Sequence, residues 1–482
     1  MTSQPPAITK SLSDSIGLTP MLDIGTTNKV QLLAKLEFTN PTGSIKDRLA
    51  KYVLDEHEKR HGIPAENKRR TILVPSSANL GISIATLAAK RSYKVISVVP
   101  ERTSNDRILL LKALGAEIVR SPNEVRPEAP ESAHSVAKKL AEQWEDALVV
   151  DETRIVDLTP YHNLAEEILQ QTSASLDALF VGVESGAAMS GIASYLKQRI
   201  PGLKVFGVEP VGSGLGSHQP QGHHADWKVE DIGSTFVPSS LNKRVVDEWI
   251  QVSDKEAYSM ARRLIRDQGV MCGPSSGAVV AAATNHAAGI TQHTTHTYRS
   301  VVILNDTSRN YTSTLLSDDW LLENDLADDV VMRELEYLSH DRYRAASVED
   351  LQLPAAVTIP PSASIANALD LMLEREYSQL PVIHPANKKL VGYVSLASLQ
   401  ARLEQGTVKL DDRIESCMYA FNKASGNLSK YQVITPDTSL AELAKFFEKN
   451  SFAVVTDSQR KWCLGVATKY DLISFLHRRQ FL

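Results

Sequence analysis

From about Thr71 to Asn305, short runs of β-branched residues alternate with stretches of helical spacing, and this alternation constrains the fold more than any other feature. Residues 71–74, 94–99, 147–150, 178–183, 204–208 and 300–304 are compact, rich in Val and Ile, and nearly free of polar alternation. Such strands belong to parallel sheets covered on both faces, because a half-exposed strand alternates apolar with polar residues. Residues 80–90, 106–114 and 163–171 carry the intervening helical pattern. Repeated β and α units predict a doubly wound α/β architecture, whose ligands sit beyond the carboxyl ends of the strands.

The alternation does not extend over all 482 residues, which are too many for one ordinary domain. Residues 323–346 are strongly charged and lack strand signals, so they read as a linker with some helix. A weak internal repeat then begins. V-T-I-P-P from Val357 is echoed by V-I-T-P-D from Val433, L-P-V-I from Leu380 by A-V-V-T from Ala453, and L-V-G-Y-V-S from Leu390 by L-G-V-A-T from Leu464. Two copies of a β-α-β-β-α pattern make a tandem module, since a solenoid needs about three or more repeats. The expected division is an α/β domain over 1–322, the linker, and repeats over 347–405 and 412–482.

Composition narrows the setting. No apolar run is long enough to cross a membrane, and a net charge of -5 gives no basic footprint for nucleic acid. Cys272, Cys417 and Cys463 are far apart and form no C-x-x-C pair, which argues for a reducing compartment. Residues 1–15 are polar, carry Pro5-Pro6, and resemble neither a secretory signal nor an Arg-rich transit peptide, so a cytoplasmic location is expected.

The first chemically loaded segment is N-P-T-G-S-I-K-D-R over residues 40–48. Pro41 and Gly43 mark a turn, Ser44 is the expected N-cap, and Ile45, Leu49, Tyr52 and Val53 follow helical spacing. Lys46 thus falls in a first helical turn, where the helix dipole disfavours an ammonium and partial burial pushes the same way, towards a nucleophilic amine. On spacing alone, a solvated surface lysine is the better reading.

The company this segment keeps reverses that preference. N-P-T-G-S-I-K-D-R closely resembles the cofactor-lysine motif of the cysteine synthase and cystathionine β-synthase family, the β-family of pyridoxal-phosphate enzymes. I-G-L-T-P over 16–20 resembles that family's I-G-N-T-P opening, and K-L-E over 35–37 its strand. L-K-A-L-G-A-E over 111–117, N-D-T-S-R-N-Y over 305–311 and L-S-D-D-W over 316–320 resemble the cystathionine β-synthase branch. With the tandem repeat, the resemblance spans nearly the whole chain. It implies two doubly wound α/β subdomains of fold type II, pyridoxal 5'-phosphate as cofactor, and Lys46 as the Schiff-base lysine.

Three loops would complete the cofactor site. P-S-S-A-N-L-G over 75–81 stands where the family has T-S-G-N-T-G, which places Ser76, Ser77 and Ala78 at the substrate carboxylate and Asn79 at the cofactor's ring hydroxyl. E-S-G-A-A over 184–188 stands in the phosphate loop, with Glu184, Ser185, Gly186, Ala187 and Ala188 in place of G-T-G-G-T. Backbone N–H groups at a helix N-terminus hold phosphate whatever the side chains, but Glu184 costs energy there unless it points away. C-G-P-S-S-G over 272–277 sets Ser275 against the pyridine nitrogen; a neutral hydroxyl makes a moderate electron sink suited to α,β-elimination. Without the resemblance, the first and last loops read as ordinary capping turns. Near the substrate, Glu152 replaces a polar amide, Thr153 an aromatic, and Asp231 a glycine just before Ile232 and Gly233.

The tandem repeats resemble a Bateman module with clefts for adenosyl ligands. The second keeps Thr468 and Asp471 of the family's ribose and phosphate contacts, whereas the first has Ser395 and Ser398. One cleft for S-adenosylmethionine or a related ligand is expected, with a ligand-free dimerising module as the alternative. The histidines at 218, 223 and 224 lie in a Gly/Pro-rich loop without cysteine partners, so no metal site is expected. With no Cys or His before His57, no haem is expected either. The reaction implied is condensation of serine with homocysteine by a homodimer or higher homo-oligomer, without nucleic acid or membrane partners. Two alternatives stay open: β-replacement with another nucleophile, as in a cysteine synthase or a specialised pathway, and a catalytically weak paralogue that senses an adenosyl ligand.

Overall fold

The computed structural model describes residues 8–480 except 28, 65–68, 76–77, 124–127, 217–226, 290–296, 335–345, 376, 422–433 and 460. Two compact units divide the chain, one running to Trp320 and taking back residues 326–328, the other holding 321–325 and everything from Asp329 onward.

In chain order the first unit contains β1 (Met21–Thr27), β2 (Val30–Leu36), α1 (Lys46–His61), β3 (Arg70–Pro75), α2 (Ala78–Ala88), β4 (Tyr93–Pro100), α3 (Asn105–Ala113), β5 (Glu117–Ser121), α4 (Ala133–Ala141), β6 (Leu148–Val149), α5 (Thr159–Thr172), β7 (Ala178–Gly182), α6 (Ala187–Lys197), β8 (Lys204–Pro210), β9 (Glu248–Val252), α7 (Asp254–Gln268), α8 (Pro274–Gly289) and β10 (Tyr298–Leu304). Two sheets result. One runs β1-β2-β10-β7-β8-β9, the other β5-β4-β3-β6. Every pairing is parallel except β1 with β2. The chain leaves the larger sheet after β2, builds the smaller one, and returns at β7. Consequently the loops at the carboxyl ends of both sheets converge, as doubly wound folds require of a binding crevice.

All six strands expected from β-branched runs are present, and all five residues of β7 are buried, the signature of a strand covered on both faces. The expected helical stretches fall on α2, α3 and α5. Ser44 is not the helix cap: Ile45 takes that place without a side-chain bond, while Ser44 Oγ accepts the Lys46 N–H at 3.2 Å. The turn therefore extends one residue further than its capping residue suggested.

A buried ion network fixes α1. Arg48 donates from Nε and Nη2 to both oxygens of Glu37, at 2.7 and 2.8 Å, and from Nη1 to Glu167 Oε1 at 2.8 Å. Lys35 Nζ reaches Glu167 Oε2 at 2.7 Å and the Thr19 carbonyl at 2.6 Å. Two cations thus meet two carboxylates, joining β2, α1 and α5 just beyond Lys46. Bidentate geometry and full charge balance are what make such burial tolerable.

The second unit repeats one motif. In the first copy, residues around Ile359 bridge Val382 in parallel; α9 (Ile365–Arg375), β11 (Gln379–Ile383), β12 (Leu390–Ser395) and α10 (Leu396–Glu404) follow. In the second, Ile434 bridges Val455, with α11 (Leu440–Phe447), β13 (Phe452–Thr456), β14 (Cys463–Thr468) and α12 (Lys469–Gln480). Each copy closes its own apolar cluster, around Leu380 and Val394 in one and Val455 and Ala467 in the other.

The ion network sets an acid limit. Burial alone would raise the Glu167 carboxyl, but Arg48 and then Lys35 hold it at about 2, below the ordinary 4.5. Its contribution is complete above that ordinary value and lost as pH falls towards 2. In Glu167→Gln the pH dependence of stability between those limits should flatten, as denaturant unfolding at stepped pH would measure.

Candidate active site

A cleft opens where the strand ends converge. Its wall takes Ser44, Ile45 and Lys46 from the start of α1, Asn79 from α2, and Glu152 from beyond β6. Residues 182–186 with Ala188 and Met189 come from the β7–α6 connection, Asp231 from beyond β8, and Asn305 from the end of β10. Seven of the residues expected at the site therefore meet here: Lys46, Asn79, Glu152, Glu184, Ser185, Gly186 and Ala188. Ala78, Ala187, Ile232, Gly233 and Ser275 are buried but do not form the wall. Ser76 and Ser77 lie outside the described residues, as do the histidines of residues 218–224. Among the described residues no group of His, Cys, Asp and Glu is arranged to hold a metal ion.

Lys46 Nζ lies 2.6 Å from Glu152 Oε2 and 3.1 Å from Glu184 Oε2. Tyr161 donates its hydroxyl to the other Glu152 oxygen at 3.2 Å. Position in the helix and burial predict a lowered lysine pKa; the structure reverses this. Burial does act to lower it, but Glu152 and then Glu184 outweigh that effect and raise it well above the ordinary value. Glu184 does not turn away from the cleft either. Its carboxyl is pushed up by burial, with Lys46 the main opposing influence.

The helix that follows Glu184 begins at Gly186, with φ of 80°. A Cβ there would lie 2.4 Å from the Leu241 side chain, so both torsion and packing demand glycine. Ser185 Oγ accepts the Ala187 N–H at 3.3 Å, and the Ser185 carbonyl accepts from Ser240 Oγ at 2.6 Å. Beyond that of Ala187, the first N–H groups of α6 have no carbonyl a turn behind them, and such a helix start favours an anion.

A second charged cluster backs the cleft. Arg107, almost wholly buried in α3, donates to Asp231 Oδ1 at 3.1 Å and Oδ2 at 2.6 Å, to Asp306 Oδ2 at 2.9 Å and to Glu230 Oε2 at 3.1 Å. Asn79 Nδ2 donates to Asp231 at 2.5 Å and to Asp306 at 3.0 Å. Burial would raise Asp231, but Arg107 outweighs it and the carboxyl ends below its usual range. Burial and the neighbouring Asp231 push Asp306 up to about 8 against the pull of Arg107. Asp231 adopts φ of 65°, a conformation that Asp tolerates better than most side chains. Arg107 and Tyr161 are not legible as site residues, since one sits on a short helix without a motif and the other beside a helix-initiating Pro160.

In the second unit, Asp471 Oδ2 accepts from both the N–H and the hydroxyl of Thr468, at 2.8 and 2.9 Å. The equivalent pair in the first copy is weaker: Ser395 Oγ accepts the Ser398 N–H at 3.3 Å, with no carboxylate.

Comparisons with known proteins agree with this geometry. Residues 12–306 match the model of the pyridoxal-phosphate dependent enzymes, and residues 348–404 and 428–478 that of the CBS domain. The chain is 36% identical to cystathionine beta-synthase of Dictyostelium discoideum, covering 98% of this chain and 93% of the relative. It is 32% identical to cystathionine beta-synthase of Saccharomyces cerevisiae, covering 96% and 97%. The crystal structure of an O-acetylserine dependent cystathionine beta-synthase from Helicobacter pylori superimposes with a TM-score of 0.57 at 33% identity, over 64% of this chain and 99% of that one. The chain is therefore a member of the cystathionine β-synthase family of pyridoxal-phosphate dependent enzymes, with a fold-type II domain followed by tandem CBS domains.

Proposed function

We propose that this protein condenses L-serine with homocysteine to cystathionine, with pyridoxal 5'-phosphate held at Lys46. The observation that carries the reading is a buried lysine at the meeting point of the strand ends, beside a helix N-terminus, in a chain alignable with cystathionine β-synthases along almost its whole length.

The residues present fit the cofactor. Ser275 Oγ is fully buried and has no hydrogen-bond partner among the described residues. An orphaned hydroxyl costs on the order of 1–3 kcal/mol, which a ring nitrogen accepting from it would recover. Ser185 and the backbone around Gly186, Ala187 and Ala188 would supply the phosphate cradle, and Asn79 stands at the position expected for the ring hydroxyl, although its amide N–H groups are given to Asp231 and Asp306. Glu184, in the phosphate loop itself, acts against a phosphate dianion, and Lys46 partly offsets it. When bound, the cofactor supplies an electrophilic aldehyde and an electron sink that acidifies the substrate's α-carbon.

The rest of the chemistry belongs to the chain. The Lys46 amine must lose its proton before it can act as a nucleophile, and Glu152 and Glu184 are in hydrogen-bond reach to take it. The same amine would remove the α-proton and deliver it to the departing hydroxide. Backbone at Ala78, with the expected Ser76 and Ser77, would receive the substrate carboxylate, and Ile232 and Gly233 would line the approach. Gly233 donates its N–H to the Val183 carbonyl at 2.7 Å, tying that approach to the phosphate loop.

We further place the enzyme in the cytoplasm, as a homodimer or higher homo-oligomer. Three unpaired cysteines support the reducing compartment, and among the described residues no helix is long and apolar enough to cross a membrane. Thr468 and Asp471 would hold the ribose of one adenosyl ligand, such as S-adenosylmethionine.

Reconstituted protein should develop a visible absorbance band that serine shifts, and borohydride should leave a reduced adduct on Lys46, found by peptide mass spectrometry. Lys46→Ala should lose both the adduct and at least about 10³-fold in rate, consistent with removing a covalent group. Colourless protein with no adduct would end this reading. For the second unit, Asp471→Ala should weaken S-adenosylmethionine binding at least tenfold by calorimetry, whereas Ser398→Ala should leave it unchanged.

A further inference from the structure

A glutamate side chain rotates freely unless its end is held. At Glu152 both oxygens are engaged: Oε2 meets Lys46 Nζ at 2.6 Å, and Oε1 accepts the Tyr161 hydroxyl at 3.2 Å. Glu184 meets the same amine through one oxygen, at 3.1 Å, and its side chain is 27% exposed against 1% for Glu152. The two carboxylates are thus unequal partners of Lys46. Tyr161 is itself immobilised. It is fully buried near the start of α5, and a Cβ on Gly191 of α6 would come within 2.7 Å of the Tyr161 Cβ. The same helix is tied to α1 through Glu167 and Arg48. From the other side, Glu152 stands on a short turn capped by Asp151, which accepts the Thr153 N–H and pairs with His134 at 2.6 Å.

We propose that Tyr161 is a positioning residue: its hydroxyl fixes the Glu152 carboxylate against Lys46, so that the lysine proton passes to Glu152 and not to Glu184. The inference rests on the reading of Lys46 as the reactive amine and names which of its two neighbours exchanges the proton. In the transfer an N–H bond of Lys46 breaks and an O–H bond forms at Glu152 Oε2. An ammonium and a carboxylate become an amine and a carboxylic acid, and the net charge of the cleft does not change. Phenylalanine at 161 would keep the ring and its packing against Gly191 but leave Oε1 buried without that donor. The carboxylate would then turn from its present orientation, and the amine, losing its nearest counter-charge, would hold its proton less firmly. Glu184 and Asp231 are the other carboxylates that face Lys46, so variants are compared at equal pH.

The test reads Lys46 without turnover. The full chain, free of cofactor, is alkylated with propanal and cyanoborohydride between roughly pH 7 and 10, a range that spans the ordinary approach to a lysine's titration. The probe is neutral and brings no phosphate into the cleft; the Lys46 adduct is timed by peptide mass spectrometry. Tyr161→Phe and Glu152→Gln should each raise the rate near pH 8 at least about threefold, and the double variant should be no faster than Glu152→Gln alone, because the hydroxyl acts through the carboxylate. Combined with Glu184→Gln, the effect of Tyr161→Phe should multiply. An unmoved rate in Tyr161→Phe, or a product of the two effects in the Tyr161→Phe, Glu152→Gln double variant, overturns the proposal. Should Tyr161→Phe fail to fold, Glu152→Asp draws the carboxylate back from both partners and should raise the rate to a similar degree; an unmoved rate there overturns it as well. In the cofactor-loaded chain, Tyr161→Phe should lower kcat at least about fivefold and leave KM for serine within about twofold, since proton exchange is lost and binding is not. A loss confined to KM overturns the proposal. If serine and homocysteine give no product with any variant or the unaltered chain while the alkylation pattern holds, the assigned reaction fails and the positioning role stands.

Discussion

The paired bonds from Arg48 to Glu37, with Glu167 and Lys35 completing the square, hold the catalytic unit in register. They tie the exit of β2 to the first turn of α1 and to α5, and Lys46 lies two residues from that knot. Because each charge has an opposite neighbour at hydrogen-bond distance, the desolvation of four ionic groups is tolerated and the geometry is stiff. A lysine positioned by a flexible turn would not meet Glu152 and Glu184 at once. Here the helix start is fixed from behind, and the amine has one place to be.

The architecture was legible because burial on two faces leaves an unambiguous mark. β7 is an uninterrupted apolar run and β10 ends in one, as strands of a sheet covered on both faces do. Two of the edge strands, β5 and β9, leave no such mark, for the same reason in reverse. Residues 117–121 and 248–252 are half exposed and carry Glu, Arg and Gln, so their composition is that of a loop. The repeats of the second unit were visible from paired segments, and each copy does build the same sequence of elements.

The site was legible in its members and less so in its electrostatics. Lys46, Asn79, Glu184, Ser185, Gly186 and Ala188 follow from the motifs, and they meet around one cleft. The protonation of Lys46 is not legible locally, because helix position and burial are properties of the local sequence while Glu152 and Glu184 arrive from 106 and 138 residues away. Arg107 gave no signal for the same cause: its carboxylate partners lie more than 120 residues further along the chain. Long-range charge pairing is a property of the fold, and one-dimensional pattern carries little of it.

Gly186 carries a lesson about what survives when a binding loop drifts. Its torsion and the closeness of Leu241 forbid any side chain at that point, whatever the neighbouring cleft contains. Ala187 and Ala188 sit in ordinary helical geometry, where methyl groups are harmless to folding. The persistence of a glycine at this junction is thus enforced by steric closure of the polypeptide. Its presence in a related chain would testify to an intact scaffold and would say nothing of retained catalysis.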